Sequence, residues 1–157
     1  MVQYISMASM REQIIHTGQL RVDVAQGNFL KTLKDEERFL EERDEGKIID
    51  TGHIDSGGNT HRTIVGSLQT IRAIFSDGIP GQTTDVVRLD ISEKGFVKEL
   101  FEITPSIAKL SQRGWEFNAA VTEGKLLSTG NTKGGQVIRT IIGPEDLITR
   151  IFPDVEK

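Results

Sequence analysis

Apolar and charged residues alternate in the same way at two places in the chain. Arg21-Val22-Asp23-Val24 and Arg88-Leu89-Asp90-Ile91 each put apolar side chains at every second position, the period of a strand with one solvated face. A helical spacing follows each. Phe29, Leu33 and Leu40 fall at i, i+4 and i+11, and Phe96, Val97 and Leu100 make the corresponding stripe later on. The first helix is expected to continue through the charged stretch 34–44. In the later segment Thr104-Pro105 offers an N-cap and a first helical residue for a second short helix, which Gly114 would end. Alternation from Trp115 to Val121 predicts an added strand. Strands are then expected over 47–52 and 59–65, and again over 125–130 and 136–142, each pair joined by a glycine-rich loop. Amphipathic helices close both segments, with stripes of Leu68, Ile71, Ile74 and Phe75 and of Leu147, Ile148, Ile151 and Phe152.

The two runs of elements are also alike residue by residue. Segments 21–33 and 88–100 align at an offset of 67 with five identities in thirteen positions, including Arg21/Arg88, Asp23/Asp90 and Phe29/Phe96. Segments 45–52 and 123–130 share five of eight, and 57–77 and 134–154 share ten of twenty-one, among them Gly57/Gly134, Gly58/Gly135, Arg62/Arg139 and Thr63/Thr140. Twenty identities over 42 positions in one order imply an internal duplication. Between the matched blocks, 34–44 holds 11 residues and 101–122 holds 22, so the second copy carries an 11-residue insertion. The expected fold is α+β: a tandem duplication of a β-α-β-β-α unit (21–77 and 88–154) in one compact pseudo-twofold domain. Its sheet should be largely antiparallel, with helices on one face. Residues 78–87, containing Gly78-Ile79-Pro80-Gly81, form the junction. Residues 1–20 have no counterpart and read as an N-terminal appendage, with Ile5, Met10 and Ile14 as a weak helical stripe.

Composition removes several function classes. The 157 residues carry 19 Lys and Arg against 23 Asp and Glu, a net charge of -4, which argues against a duplex-DNA-coating protein. Without cysteine there is no disulfide framework, thiolate metal site or cysteine nucleophile. No apolar run reaches the roughly 18–20 residues of a membrane span, and residues 1–19 lack the apolar core of a signal peptide, so a cytoplasmic location is expected, or a virion if the chain is viral. Net charge is -3 over 21–77 and zero over 88–154, as in a protein whose halves face different neighbours.

Candidate chemistry centres on the matched glycine loops. Backbone N–H groups at Gly57-Gly58 and at Lys133-Gly134-Gly135 could wrap an anion, with Arg62 and Arg139 supplying charge and Thr63 and Thr140 beside them. The other reading is a pair of hairpin turns that need glycine at positive φ, and a cross-strand ion pair between each arginine and Asp23 or Asp90. A phosphate at the start of the helix after Gly66 is a related option, more open there than at Pro144-Glu145-Asp146. His53, Asp55 and His61 are conceivable metal ligands, although their spacing matches no standard motif. No catalytic triad, P-loop or dinucleotide fingerprint is present, and no cofactor is expected.

The leading expectation is a non-catalytic structural or interaction module that assembles into a homo-oligomer, a class that includes viral structural proteins. The alternative is a nucleotide- or nucleic-acid-phosphate-binding protein using the paired glycine loops and arginines.

Overall fold

The computed structural model of the chain describes residues 13–104 and 106–154. In order these form β1 (Gln13–Ala25), α1 (Gln26–Thr32), α2 (Glu36–Asp44), β2 (Ile49–Ile54), β3 (Thr60–Ser67) and α3 (Leu68–Ile74). There follow β4 (Gln82–Ser92), α4 (Glu93–Leu100), β5 (Phe101–Ile103), β6 (Ala108–Leu110), α5 (Gln112–Thr122), β7 (Leu127–Lys133), β8 (Gln136–Gly143) and α6 (Glu145–Ile151). The fold is α+β, with antiparallel strands covered on one face by helices. Two compact units divide the chain: residues 18–86, and residues 87–154 together with 13–17.

In the first unit the strand order is β2-β3-β1. Val22 lies opposite Ile64, so alternation sends Leu20, Val22, Val24 and Ile64 to one face. There they bury against Phe29 of α1, Phe39 of α2, Ile71 and Ile74 of α3, and Phe75. Phe29 meets Phe39 and Phe75 edge-on, with ring centroids 5.4 and 6.0 Å apart. The second unit repeats this plan with β4-β8-β7. Leu89 and Ile141 are opposite each other and pack on Phe96 and Leu100 of α4, Phe117 of α5, and Ile148, Ile151 and Phe152 of and beyond α6.

The order of elements is the same in both units, apart from the β5–β6 hairpin of the second. The duplication read from the sequence is compatible with this order. The element order differs between the units at one place. Helices α2 and α5 match at an offset of 78: Phe39 and Phe117 are both buried, and Gly46 and Gly124 both take φ near +80°, at +80° and +77°. The last turns bond alike, Lys47 N donating to Glu42 O and Lys125 N to Ala120 O. The second unit therefore differs from the first by the β5–β6 hairpin that precedes α5.

Four local expectations are corrected. The first helix does not run through 34–44. It stops at Thr32, and α2 begins anew because the Asp35 side chain accepts from Arg38 N at 3.1 Å, a strong N-cap. The break rotates the apolar stripe, so Phe39 is buried and Leu40 exposed. Thr104 starts a turn instead of a helix, its hydroxyl accepting from Ile107 N between β5 and β6. Trp115 to Val121 is helix, not strand. Ser111 caps it by accepting from Gly114 N and donating to Leu100 O, and the buried set Gly114, Phe117 and Ala120 follows an i, i+3, i+6 stripe.

The expected appendage boundary at residue 20 falls inside β1, and Ile14 sits in a strand, while Ile5 and Met10 lie outside the described residues. Gly18, at φ +65°, resets the alternation of β1. Ile15 before it packs on the core of the second unit, and Leu20, Val22 and Val24 after it build the core of the first. Among the described residues no helix is long and apolar enough to cross a membrane.

Candidate functional site

The glycine loops are hairpin turns. Lys133 ends β7 and pairs with Gln136, so Gly134 and Gly135 are the whole two-residue connection, with φ of +59° and +81°. Positive φ at both central positions is the geometry of a type I′ turn, which glycine adopts without steric cost. The first loop is longer, and its amides already hold an anion: the chain's own Asp55. Gly57 N and Asn59 N donate to Asp55 Oδ1 at 2.9 and 3.0 Å, and Gly58 N donates to Asp55 O at 3.0 Å. Asp55 Oδ2 lies 2.8 Å from His61 Nε2. The Asn59 amide above all, with His61 and Gly57, holds the Asp55 carboxyl below the usual aspartate range. His53 and His61 stack as a cross-strand pair, centroids 5.4 Å apart, and among the described residues no three metal-ligating side chains converge.

Arg62 and Thr63 leave β3 on opposite faces, as consecutive strand residues must. Arg62 is on the helix-covered side. Its Nε donates to Gln26 Oε1 at 2.8 Å, its Nη1 to Asp50 Oδ2 at 3.0 Å, and its guanidinium lies 4.4 Å from the Phe29 ring centroid. Burial pushes the Asp50 carboxyl above its ordinary value, and Arg62 and Arg43 only partly oppose this. Arg139 repeats the stacking, 4.2 Å over Phe96, but takes its carboxylate from elsewhere: Glu93 of α4 accepts from both Nε (2.7 Å) and Nη2 (3.1 Å). Aligned positions exchange these roles. Gln26 stands where Glu93 does, and Asp50 where Ser128 does, so each arginine has one carboxylate.

The expected pairing of these arginines with Asp23 and Asp90 is not formed, because those aspartates occupy the other face. There Thr63 donates to Asp23 Oδ1 and Thr140 to Asp90 Oδ1, both at 2.6 Å. Arg21 and Arg88 reach the same carboxylates from two residues earlier on the strand, at 3.0 and 3.2 Å. His16 Nε2 adds a contact of 3.1 Å to Asp90 Oδ2. Thus the candidate residues form three separate groups in each unit: a turn, an arginine stacked on phenylalanine, and a threonine–aspartate–arginine network. Among the described residues no buried side-chain nitrogen or oxygen lacks a partner. The helix after Gly66 is closed in the same manner, since the Ser67 hydroxyl accepts from Thr70 N at 3.2 Å.

Two surface features were not singled out from the sequence. Both lie where the copies differ. One is the outer face of α5, where Trp115, Asn118, Ala119 and Thr122 are exposed and uncharged. The matching face of α2 carries Glu37, Leu40, Glu41 and Asp44. Trp115, the one tryptophan of the chain, is 66% exposed. The other is an open cleft of about 580 Å³ between α4 and β5, lined by Glu93, Lys94, Val97, Lys98, Phe101 and Ile103. Aligning the halves by helix register, and not by identities alone, would have exposed the exchange of glutamate for tryptophan.

No known protein family matches the chain, and no curated protein matches it. Among solved structures 23 chains match. One is the regulatory subunit of aspartate kinase from Thermus flavus, similar over 90% of this chain and 97% of that one, with a TM-score of 0.36 and 12% identity. A likeness this remote lends no chemistry to the present chain.

Proposed function

We propose that the protein is a non-catalytic interaction module that associates with further copies of itself through the outer face of α5. The observation that carries this reading is the uncharged, tryptophan-bearing face at a position where the sister helix α2 is acidic. Tryptophan is enriched at the centres of protein interfaces, and charged residues are depleted there. A face used once by each copy in a two-fold dimer needs no second complementary surface. Support also comes from the groups a free anion would need. The Gly57 and Asn59 amides hold the Asp55 carboxylate, and Arg62 and Arg139 are neutralised and stacked.

Sedimentation of the wild type against a Trp115→Glu/Ala119→Glu variant tests this reading. Both substitutions copy the residues at the matching positions of α2, so the helix keeps a surface that the fold already tolerates. The wild type is expected to sediment as a dimer and the variant as a monomer with unchanged circular dichroism. A monomeric wild type into the millimolar range overturns the reading. Native mass spectrometry of the same sample reads retained ligands. A nucleotide mass lost in Arg62→Ala and Arg139→Ala would move the function to phosphate binding.

A further inference from the structure

We propose that the cleft between α4 and β5 is a binding site for a single-chain amphiphile with an anionic head, a medium-chain fatty carboxylate. Its volume, about 580 Å³, lies in the range of small-ligand pockets. Its floor is apolar: Val97 is half-buried, Phe101 partly buried, and Ile103 exposed. Its rim is cationic. Glu93, the one acidic lining residue, is consumed by the two-pronged bond to Arg139. Lys94 and Lys98, one helical turn apart, have no ion-pair partner among the described residues, so two positive charges border an apolar trough. That arrangement matches an acyl chain ending in a carboxylate and disfavours a cationic amphiphile.

Comparison with the sister helix shows that the second copy departs from the first at most of the cleft positions. At the offset of 67, Lys94 stands for Gly27 and Val97 for Leu30. One exchange adds a cation, and the other trims the side chain that would fill the trough. Phe101 and Ile103 both come from the hairpin that the first unit lacks. Without that hairpin Leu30 is left 63% exposed. These changes concern a different surface from the α5 face, so the site stands or falls apart from self-association.

The test is a titration of the isotope-labelled full chain with decanoate below its micellar concentration, followed by amide NMR. Acetate and decyltrimethylammonium are the controls. Saturable shifts confined to residues 93–103 are expected with decanoate, and none with either control. Octanoate should bind up to about fifteenfold more weakly, from about fourfold per buried methylene. Lys94→Gln/Lys98→Gln should weaken decanoate at least tenfold, and Val97→Phe, which fills the trough, should abolish binding, while spectral dispersion reports that each variant is folded. The proposal is overturned if decanoate leaves residues 93–103 unshifted. It is equally overturned if decyltrimethylammonium binds as well, or if residues 26–34 respond to the same extent.

Discussion

Replacing Thr140 by valine probes the threonine–aspartate network at its more buried occurrence. Thr140 is 2% exposed and donates to Asp90 Oδ1 at 2.6 Å. A hydrogen bond to an ionised carboxylate contributes about 1.5–3 kcal/mol. Valine keeps the shape, and the methyl that replaces the hydroxyl returns at most about 0.8 kcal/mol. Asp90 is not orphaned, because Arg88 Nε at 3.2 Å and His16 Nε2 at 3.1 Å still hold it. The net loss should be about 1–2 kcal/mol, or roughly 2–8 °C in Tm for a chain of this size. Thr63→Val should cost less, since the Asp23 side chain is 36% exposed against 19% for Asp90 and water can replace the lost donor. Urea unfolding followed by circular dichroism, on both single variants and the double, measures this. The two costs should add, each threonine having partners only within its own network. An unchanged midpoint for Thr140→Val, or a larger cost for Thr63→Val, would refute the reasoning.

Gly135→Ala should destabilise by about 1–2 kcal/mol, because φ there is +81° and alanine carries the left-handed penalty; an unchanged thermal midpoint would show that the turn relaxes. Gly114→Ala should cost about 1–3 kcal/mol, since an added methyl would collide with the Leu100 carbonyl oxygen and the Leu110 side chain. Its check is the same melt. Asp55 binds its proton less tightly in the folded than in the unfolded chain. Its contribution is therefore whole above the ordinary aspartate value of about 3.9 and fades as pH falls through the lower folded value. Hydrogen exchange at Gly57 and Asn59 should accordingly lose protection on acidification, and in Asp55→Asn that dependence should disappear while the turn persists. Arg139→Lys should leave a single ion pair without the stacked plane over Phe96 and should unfold at lower urea than the wild type. Equal midpoints would mean that charge alone matters there.

Much of the fold was legible because its signals are local. Period-2 alternation located β1 and β4, the matched blocks located β3 and β8, and i, i+3, i+4 spacing located α3 and α6, whose Ile71, Ile74, Ile148 and Ile151 are buried. What failed was where short competing signals had to be ranked. Thr104-Pro105 reads as a helix start, yet the helix begins after Ser111, whose hydroxyl donates to Leu100 O. The segment 115–121 satisfies a strand pattern as far as the sequence goes; the need to bury Phe117 and Ala120 on one side makes it a helix.

The sequence by itself determined the antiparallel α+β plan, the recurring order of elements and the glycine turns, since residue types and spacing dictate backbone preference and which face is buried. Which charged groups meet was decided only by the tertiary structure. Strand register sets Arg62 and Asp23 on opposite faces, and supplies Arg62 with Asp50 but Arg139 with Glu93, partners 12 and 46 residues away. Exposure was settled at the same level. Trp115 and Ile103 have the composition of core residues, and they stay at the surface because α5 and the β5–β6 hairpin spend their inward positions on Gly114, Phe117, Ala120 and Phe101.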